Sequence, residues 1–389
     1  MNNYQDNNSK IANRQSPIKV ALVHDHLAQD GGAEAVLRVF AEIFPEAPIY
    51  TLLYEEKNAA KYYAGKKIHT SIIQKLPGGV SHYQWYMPFM PMATEFFDLS
   101  SYDLVLSDSS SFAKGVITPL DTLHVCYCHT PTRYLWDYTH QYISELKYNK
   151  YFKKLISLVL NYIRVWDRVA ADRVDAYIAN SRTVQNRIRK YYRQNSTLIY
   201  PPVELDKFYV AREKPADKYF LAGCRLNPYK RVDIVIEAFK ELGLKLKIYG
   251  SGPDMLRLKK IAGTAANIEF LGRVNNEERA RLYADCQAFV HPQDEDFGIT
   301  VIEAQASGRP VIAYRKSGAT ETIKEGVSGE FFDEQTPAAI IGAVKKFDAA
   351  KYNPAAIREH AMKFSKERFK EEIKSFIEEE YGKFRMKNA

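Results

Sequence analysis

The chain is poor in cysteine and has no long apolar run. Its four cysteines, Cys126, Cys128, Cys224 and Cys286, are scattered. Cys126 and Cys128 stand two apart in a strand-like run, so their side chains share a face. That spacing is neither a Cys-x-x-Cys redox pair nor a zinc arrangement, and buried free thiols are expected. No apolar stretch reaches the roughly 18–20 residues a membrane-spanning helix needs. The first sixteen residues, MNNYQDNNSKIANRQS, are polar and lack the apolar core of a signal peptide. A disordered tail over residues 1–16 and a cytoplasmic protein are expected.

What is present suits a folded enzyme-sized chain. Its 389 residues suggest two or three domains, and 46% hydrophobic with 26% charged residues suffices for full cores. A net charge of +8 admits nucleic acid, an anionic membrane or an anionic substrate as partner, and does not choose among them. The 27 tyrosines and 20 phenylalanines come without a nucleic-acid-binding signature, so nucleic acid is not expected and large half-buried surfaces are.

Short β-rich runs alternate with longer amphipathic stretches, the pattern of parallel α/β domains. In the first half 19–23, 49–53, 104–107, 124–128 and 176–179 read as buried strands. In the second half 219–222, 245–249, 268–271, 288–291 and 310–314 do the same. Tyr200-Pro201-Pro202-Val203 lies between them, and two prolines forbid regular structure there. Ser365 is a good N-cap for a final helix carrying Phe369, Ile373, Phe376, Ile377, Tyr381 and Phe384 on one stripe.

The segment from His291 to Ile323, HPQDEDFGITVIEAQASGRPVIAYRKSGATETI, carries the strongest chemical signal. Ala288-Phe289-Val290 reads as a strand, which leaves Glu295 on the loop at its C-terminal end. A helix can start at Gly298 and carry Glu303 a turn and a half in. N–H groups at such a helix start form an anion site, to which the DFGIT run (Phe297, Gly298, Ile299, Thr300) belongs. Glu303 could accept the two neighbouring hydroxyls of a ribose, and Glu295 the hydroxyls of whatever lies beyond the anion. Two glutamates eight apart are also what a solvated helix face carries. The Ala304-x-Ala306-x-Gly308-x-Pro310 run, Gly318 and Glu321 argue against that bland reading.

With these motifs the chain resembles the retaining glycosyltransferases of family 4, which have the GT-B fold. The resemblance covers roughly residues 18–385. It implies two Rossmann-like α/β domains facing across a cleft, with the final helix crossing back onto the first domain. The domains would be 17–200 plus 365–389 on the acceptor side and 201–364 for the nucleotide sugar. A final helix that caps the second domain is the alternative. In Cys224-Arg225-Leu226-Asn227-Pro228-Tyr229-Lys230, two cations five apart on a strand-to-helix loop can grip a diphosphate. The resemblance gives Arg225 and Lys230 the charge that grows on the leaving nucleoside diphosphate. Asp294 and Asp296 have the spacing of a metal-binding pair, but Glu295 between them already accounts for the segment, and metal-independent chemistry without a cofactor is expected.

Gly250-Ser251-Gly252-Pro253 ends a strand and opens a helix, and is weak by itself; in this topology Gly250 and Gly252 would let backbone approach the nucleotide. Arg273 and Val274 stand where family members hold the base through backbone groups. The first strand leads into His24-Asp25-His26-Leu27-Ala28-Gln29-Asp30-Gly31-Gly32-Ala33-Glu34. This is not the Gly-x-Gly-x-x-Gly of a dinucleotide binder, and Gly31 and Gly32 would let backbone approach the donor phosphate. His129 closes a buried strand in Cys128-His129-Thr130-Pro131-Thr132-Arg133. A lone histidine is more often structural; the resemblance places this one at the transferred sugar.

The HTPTRYLWD and EDFGI runs resemble the subgroup of O-antigen mannosyltransferases, which implies mannose from GDP-mannose. No nucleophile is evident, so attack on the same face is expected, with the donor phosphate taking the acceptor's proton. Retention comes from the resemblance and not from carboxylate spacing, whose rule belongs to glycosidases. A basic amphipathic helix over 149–165, with Tyr151, Phe152, Leu155, Ile156, Val159, Leu160 and Ile163 on one stripe and Lys147, Lys150, Lys153, Lys154 and Arg164 around it, fits either a core helix or contact with an anionic membrane. Tyr83–Phe97 is packed with aromatic residues and methionines. Membrane contact would suit a lipid-linked glycan acceptor. A UDP-sugar-dependent enzyme of the same fold, or a non-catalytic basic protein bound at a membrane surface, remain as alternatives.

Overall fold

A computed structural model describes residues 18–29, 31–146, 148–211 and 218–388. The expected 1–16 tail, Asp30 and Lys147 lie outside the described residues.

Two fully parallel sheets carry the architecture. The first contains β1 (Val20–His24), β2 (Ile49–Thr51), β3 (Ile68–Thr70), β4 (Leu104–Ser109), β5 (Leu123–Cys128), β6 (Ala176–Ala179) and β7 (Thr197–Leu198), in the order β3-β2-β1-β4-β5-β6-β7. The second contains β8 (Phe220–Gly223), β9 (Leu246–Tyr249), β10 (Ile268–Gly272), β11 (Phe289–His291), β12 (Val311–Tyr314) and β13 (Gly329–Phe332), in the order β10-β9-β8-β11-β12-β13. Central strands such as VALVH in β1 and LHVCYC in β5 are buried throughout, as a parallel sheet covered by helices on both faces requires. In each sheet the strand order reverses beside the first strand. Ligands of open α/β sheets bind outside the carboxyl ends of the strands at such switch points. There β1 and β4 bring His24 and Asp108 together, while β8 and β11 lead to Arg225 and Glu295.

The edge strands β3, β7 and β13 were not expected from the sequence. Two of them have only two or three residues, and none of the three has the apolar run that marks a central strand. Pro253 opens no helix, because the next one runs Met255–Ala262 with Asp254 before it.

The chain crosses between the sheets twice, and the two crossings are tied: Val203 N–H donates to Phe364 O at 3.0 Å, and Val203 bridges Ser365. Ser365 then caps the helix Lys366–Lys387, its hydroxyl accepting from Arg368 N–H. Phe369, Ile373, Phe376 and Ile377 join the core of the first sheet with Leu22, Leu104 and Val125. Phe369 lies 5.7 Å from Phe40 and 5.6 Å from Tyr127, ring to ring. Burying a side chain of this size stabilises by about 2–3 kcal/mol.

The helix Lys150–Ala170 does not carry one stripe. Leu160 and Ile163 are buried and Ile156 and Val159 half-buried, but Tyr151, Phe152 and Leu155 face solvent. Its apolar residues cover more than half the circumference, and the domain covers only part of that arc.

Candidate active site

A cleft of about 750 Å³ opens between the carboxyl ends of the two sheets. Gly31 and Gly32 line it from the first domain, and Arg225, Lys230, Glu295, Ile299, Thr300 and Glu303 from the second. The walls are close: a Cβ on Gly32 would stand 3.1 Å from Ile299 Cδ1, and Arg225 Nη1 donates across the gap to Gln29 Oε1 at 2.7 Å.

The charged groups are paired with one another. Lys230 Nζ forms an ion pair with Glu295. Burial, with Arg133 adding to the effect, draws the Lys230 ammonium down to about 8. Glu295 in direct contact favours the charged form, which leaves Lys230 a cation at neutral pH. Glu303 sits in the helix Ile299–Ala306, where its Oε1 meets Arg279 at 3.2 Å and its Oε2 accepts from Tyr283 Oη at 3.3 Å. Burial raises the Glu303 carboxyl and Arg279 opposes the rise. Gly298 caps this helix at φ 88°, a left-handed conformation that favours glycine. Among the described residues no group of three His, Cys, Asp or Glu side chains is arranged to hold a metal ion.

Other expected residues lie outside the cleft lining. Phe297 is buried in the core against Tyr200 and Phe364, 5.7 and 5.5 Å between rings, so only its backbone faces the loop. The clearance at Gly250 and Gly252 is used by the protein itself: a Cβ on either would stand 1.9 Å from Cys224 O or 2.2 Å from Leu226 O. These glycines seat the loop that carries Arg225. Arg273 is exposed and Val274 half-buried after β10. His129 stands one residue beyond β5, its Nε2 2.5 Å from Asp108 Oδ1.

The partners of several residues near the cleft had no signal in the sequence. Arg187 ion-pairs with Asp296 of the other domain, and its Nε donates to Asp137 Oδ2 at 2.8 Å. Glu321 accepts from the backbone of Arg182 at 2.8 Å and from Tyr200 Oη at 3.1 Å, which ties the second domain to a helix of the first. Gly318 is explained by Phe297, whose Cα would lie 2.4 Å from a Cβ there.

Comparison with known proteins agrees with this fold. The Glycosyltransferase Family 4 model matches residues 30–207, and the Glycosyl transferases group 1 model matches residues 206–368. The chain belongs to this family of GT-B glycosyltransferases. It is 29% identical to O-antigen chain mannosyltransferase C of Escherichia coli over 184 residues, 44% of this chain and 48% of that protein. It is 30% identical to the GDP-mannose-dependent alpha-(1-6)-phosphatidylinositol monomannoside mannosyltransferase of Mycolicibacterium smegmatis over 192 residues, 42% and 50% of the two chains. The chain spans about half the length of these relatives. Among solved structures, sucrose-phosphate synthase from Thermosynechococcus elongatus matches with TM-score 0.72 at 16% identity, over 94% of this chain and 99% of that one. HepE of Anabaena in complex with UDP matches with TM-score 0.67 at 16% identity, over 93% and 100%. At such identity these two structures speak for the fold alone.

Proposed function

We propose that this protein is a retaining, metal-independent mannosyltransferase that moves mannose from GDP-mannose onto a lipid-linked glycan at a membrane surface. The observation that carries the reading is the meeting of Arg225, Lys230, Glu295 and Glu303 in one cleft at the switch points of two sheets. Arg225 and Lys230, with the N–H groups that open the helix Ile299–Ala306, meet the diphosphate. Glu303 holds ribose, and Glu295 with His129 holds the sugar. The bond from the anomeric carbon to the phosphate oxygen breaks and the bond to the acceptor oxygen forms on the same face. The acceptor proton passes to the departing phosphate, so no protein base is required. Thr300 Oγ1 and Arg279 Nε border the cleft buried and without a partner among the described residues, and the oxygens of a bound nucleotide sugar could accept from both.

The membrane part of the reading rests on two neighbouring elements. On the helix Lys150–Ala170, Tyr151, Leu155, Leu158, Tyr162, Val165 and Val169 are all exposed at alternating spacings of four and three. Lys150, Lys153, Lys154 and Arg168 flank them. Trp85, Phe89, Met92 and Phe96 repeat the pattern on the segment packed beside it through the Trp166–Glu95 hydrogen bond. Exposed apolar rows beside basic residues favour an anionic bilayer. Among the described residues no helix is long and apolar enough to cross a membrane.

A UDP-sugar donor is the second reading to test, since the HepE structures of the same fold are complexes with UDP and with UDP and glucose. The test is the melting temperature with GDP, GDP-mannose, UDP, UDP-glucose or ADP, with EDTA present. Selective stabilisation by GDP and GDP-mannose that disappears in Glu303→Ala supports the proposal. Stabilisation by UDP compounds alone overturns the mannosyl assignment, and stabilisation by no nucleotide returns the protein to a membrane-surface binding role.

A further inference from the structure

Outside the lining of the cleft two imidazoles and two carboxylates alternate in a row. Glu34 lies in the first turn of the helix Gly32–Ile43, His24 ends β1, Asp108 lies in β4, and His129 follows β5. His24 Nδ1 is 2.8 Å from Asp108 Oδ2, and His129 Nε2 is 2.5 Å from Asp108 Oδ1. On the far side, His24 Nε2 is 3.9 Å from Glu34 Oε1. The sheet sets this alignment. His24 and Asp108 are direct partners in the β1–β4 ladder, and Asp108 partners Tyr127, two residues before His129.

Asp108 is fully buried, and an ionised carboxylate there is tolerated only if it is paired. Each of its oxygens has an imidazole of its own. The two carboxylates outweigh the effect of burial and raise His24 to about 10, so that His24 is a cation at neutral pH. Asp108 therefore stays ionised and acts purely as an acceptor. A hydrogen must then sit on His129 Nε2, which leaves Nδ1 as the ring's lone-pair nitrogen in the neutral form. Nδ1 meets no partner among the described residues, and the side chain keeps 12% of its exposure.

We propose that Asp108 and His24 are positioning residues for sugar transfer: Asp108 fixes the hydrogen of His129 on Nε2 so that Nδ1 accepts a hydroxyl of the donor sugar, and His24 keeps Asp108 ionised. This rests on the reading that His129 meets that sugar. Neither residue touches substrate; both act through the His129 ring.

The test is Asp108→Asn. His24 continues to donate to the amide oxygen, so the amide NH₂ faces His129 Nε2. That nitrogen must become the acceptor, and the hydrogen moves to Nδ1. Long-range ¹H–¹⁵N spectra of the histidine rings read the tautomer directly. Turnover is read as release of GDP from GDP-mannose and of UDP from UDP-glucose, with water as acceptor. The expected result is an Nε2–H ring in the wild type and an Nδ1–H ring in the variant. Release should fall roughly 10²-fold while GDP affinity is kept, because on the proposed reading His129 meets the sugar and not the nucleotide. His24→Gln, whose amide still donates to Asp108, should keep the Nε2–H tautomer and lose less activity. If Asp108→Asn does not fold, a change of tautomer in Asp108→Ser or its persistence decides the matter. An unchanged tautomer, or wild-type turnover in the altered one, overturns the proposal. A wild-type protein that consumes no nucleotide sugar overturns the transferase reading instead, and the ring spectra still decide whether Asp108 governs His129.

Discussion

Arg187 of the first domain and Asp296 of the second form an ion pair beside the cleft, one residue from Glu295. Arg187 also holds Asp137, so a single guanidinium joins a loop of each domain. The side chains are only 13% and 15% exposed, so losing the cation strands two carboxylates in partly dry surroundings. Arg187→Ala should cost about 2 kcal/mol of stability. Turnover should fall about tenfold with little change in GDP affinity, since the arginine joins the domains and stands outside the cleft lining. The charge swap Arg187→Glu with Asp296→Arg should recover part of the loss. Steady-state kinetics beside thermal melts checks this.

Lys230 should give the proposed reaction an alkaline limit. With its ammonium drawn down to about 8 by burial, the free enzyme should lose a cation from the proposed diphosphate site as pH rises through that value. The kcat/KM for donor should therefore fall above about pH 8. Lys230→Arg should remove this limb, because a guanidinium stays protonated. In Glu295→Gln the limb should move to lower pH, since the carboxylate that favours the charged lysine is gone. A pH–rate series on the three proteins separates these outcomes.

Glu303 should matter for binding more than for chemistry. Its carboxyl is held by Arg279 and Tyr283 inside the helix Ile299–Ala306, already shaped to accept hydroxyls. Glu303→Ala should weaken GDP by about 10- to 100-fold, the worth of one or two hydrogen bonds to a charged group. Calorimetric titration of GDP measures it. A loss confined to kcat would move Glu303 from the ribose to the reacting end of the donor.

The exposed stripe on the helix Lys150–Ala170 predicts separable stability and membrane effects. Leu158 and Tyr162 are 68% and 57% exposed, so Leu158→Glu with Tyr162→Glu should shift stability by no more than about 0.5 kcal/mol per site. Co-sedimentation with phosphatidylglycerol vesicles should nevertheless drop sharply, and binding by the wild type should weaken with salt. Equal sedimentation of both proteins would remove the membrane from the reading.

Much of this fold was legible because its signals are local. Fully buried parallel strands read as short β-rich runs, and Ser365 announces the helix that follows it. Glu295 and Glu303 were legible because one strand, one turn and one helix hold them in a single stretch of sequence. What could not be read depends on distant partners. Asp108 and His24 are 84 residues apart, and only the β1–β4 register brings them together. Arg187 and Asp296 are 109 apart and belong to different domains. Gly250 and Gly252 suggested a ligand when their neighbour is a loop of the same domain. The apolar pattern of the helix Lys150–Ala170 gave its composition but not the division between core and solvent, which is set by what packs against it.

The returning helix Lys366–Lys387 makes the order of synthesis differ from the order of completion. The core around Phe40 and Tyr127 lacks Phe369, Ile373, Phe376 and Ile377 until the whole second domain has been made. The second sheet is finished at residue 332, so it can consolidate while the earlier domain still exposes an apolar face. The half of the molecule that leaves the ribosome first is thus the half that closes last.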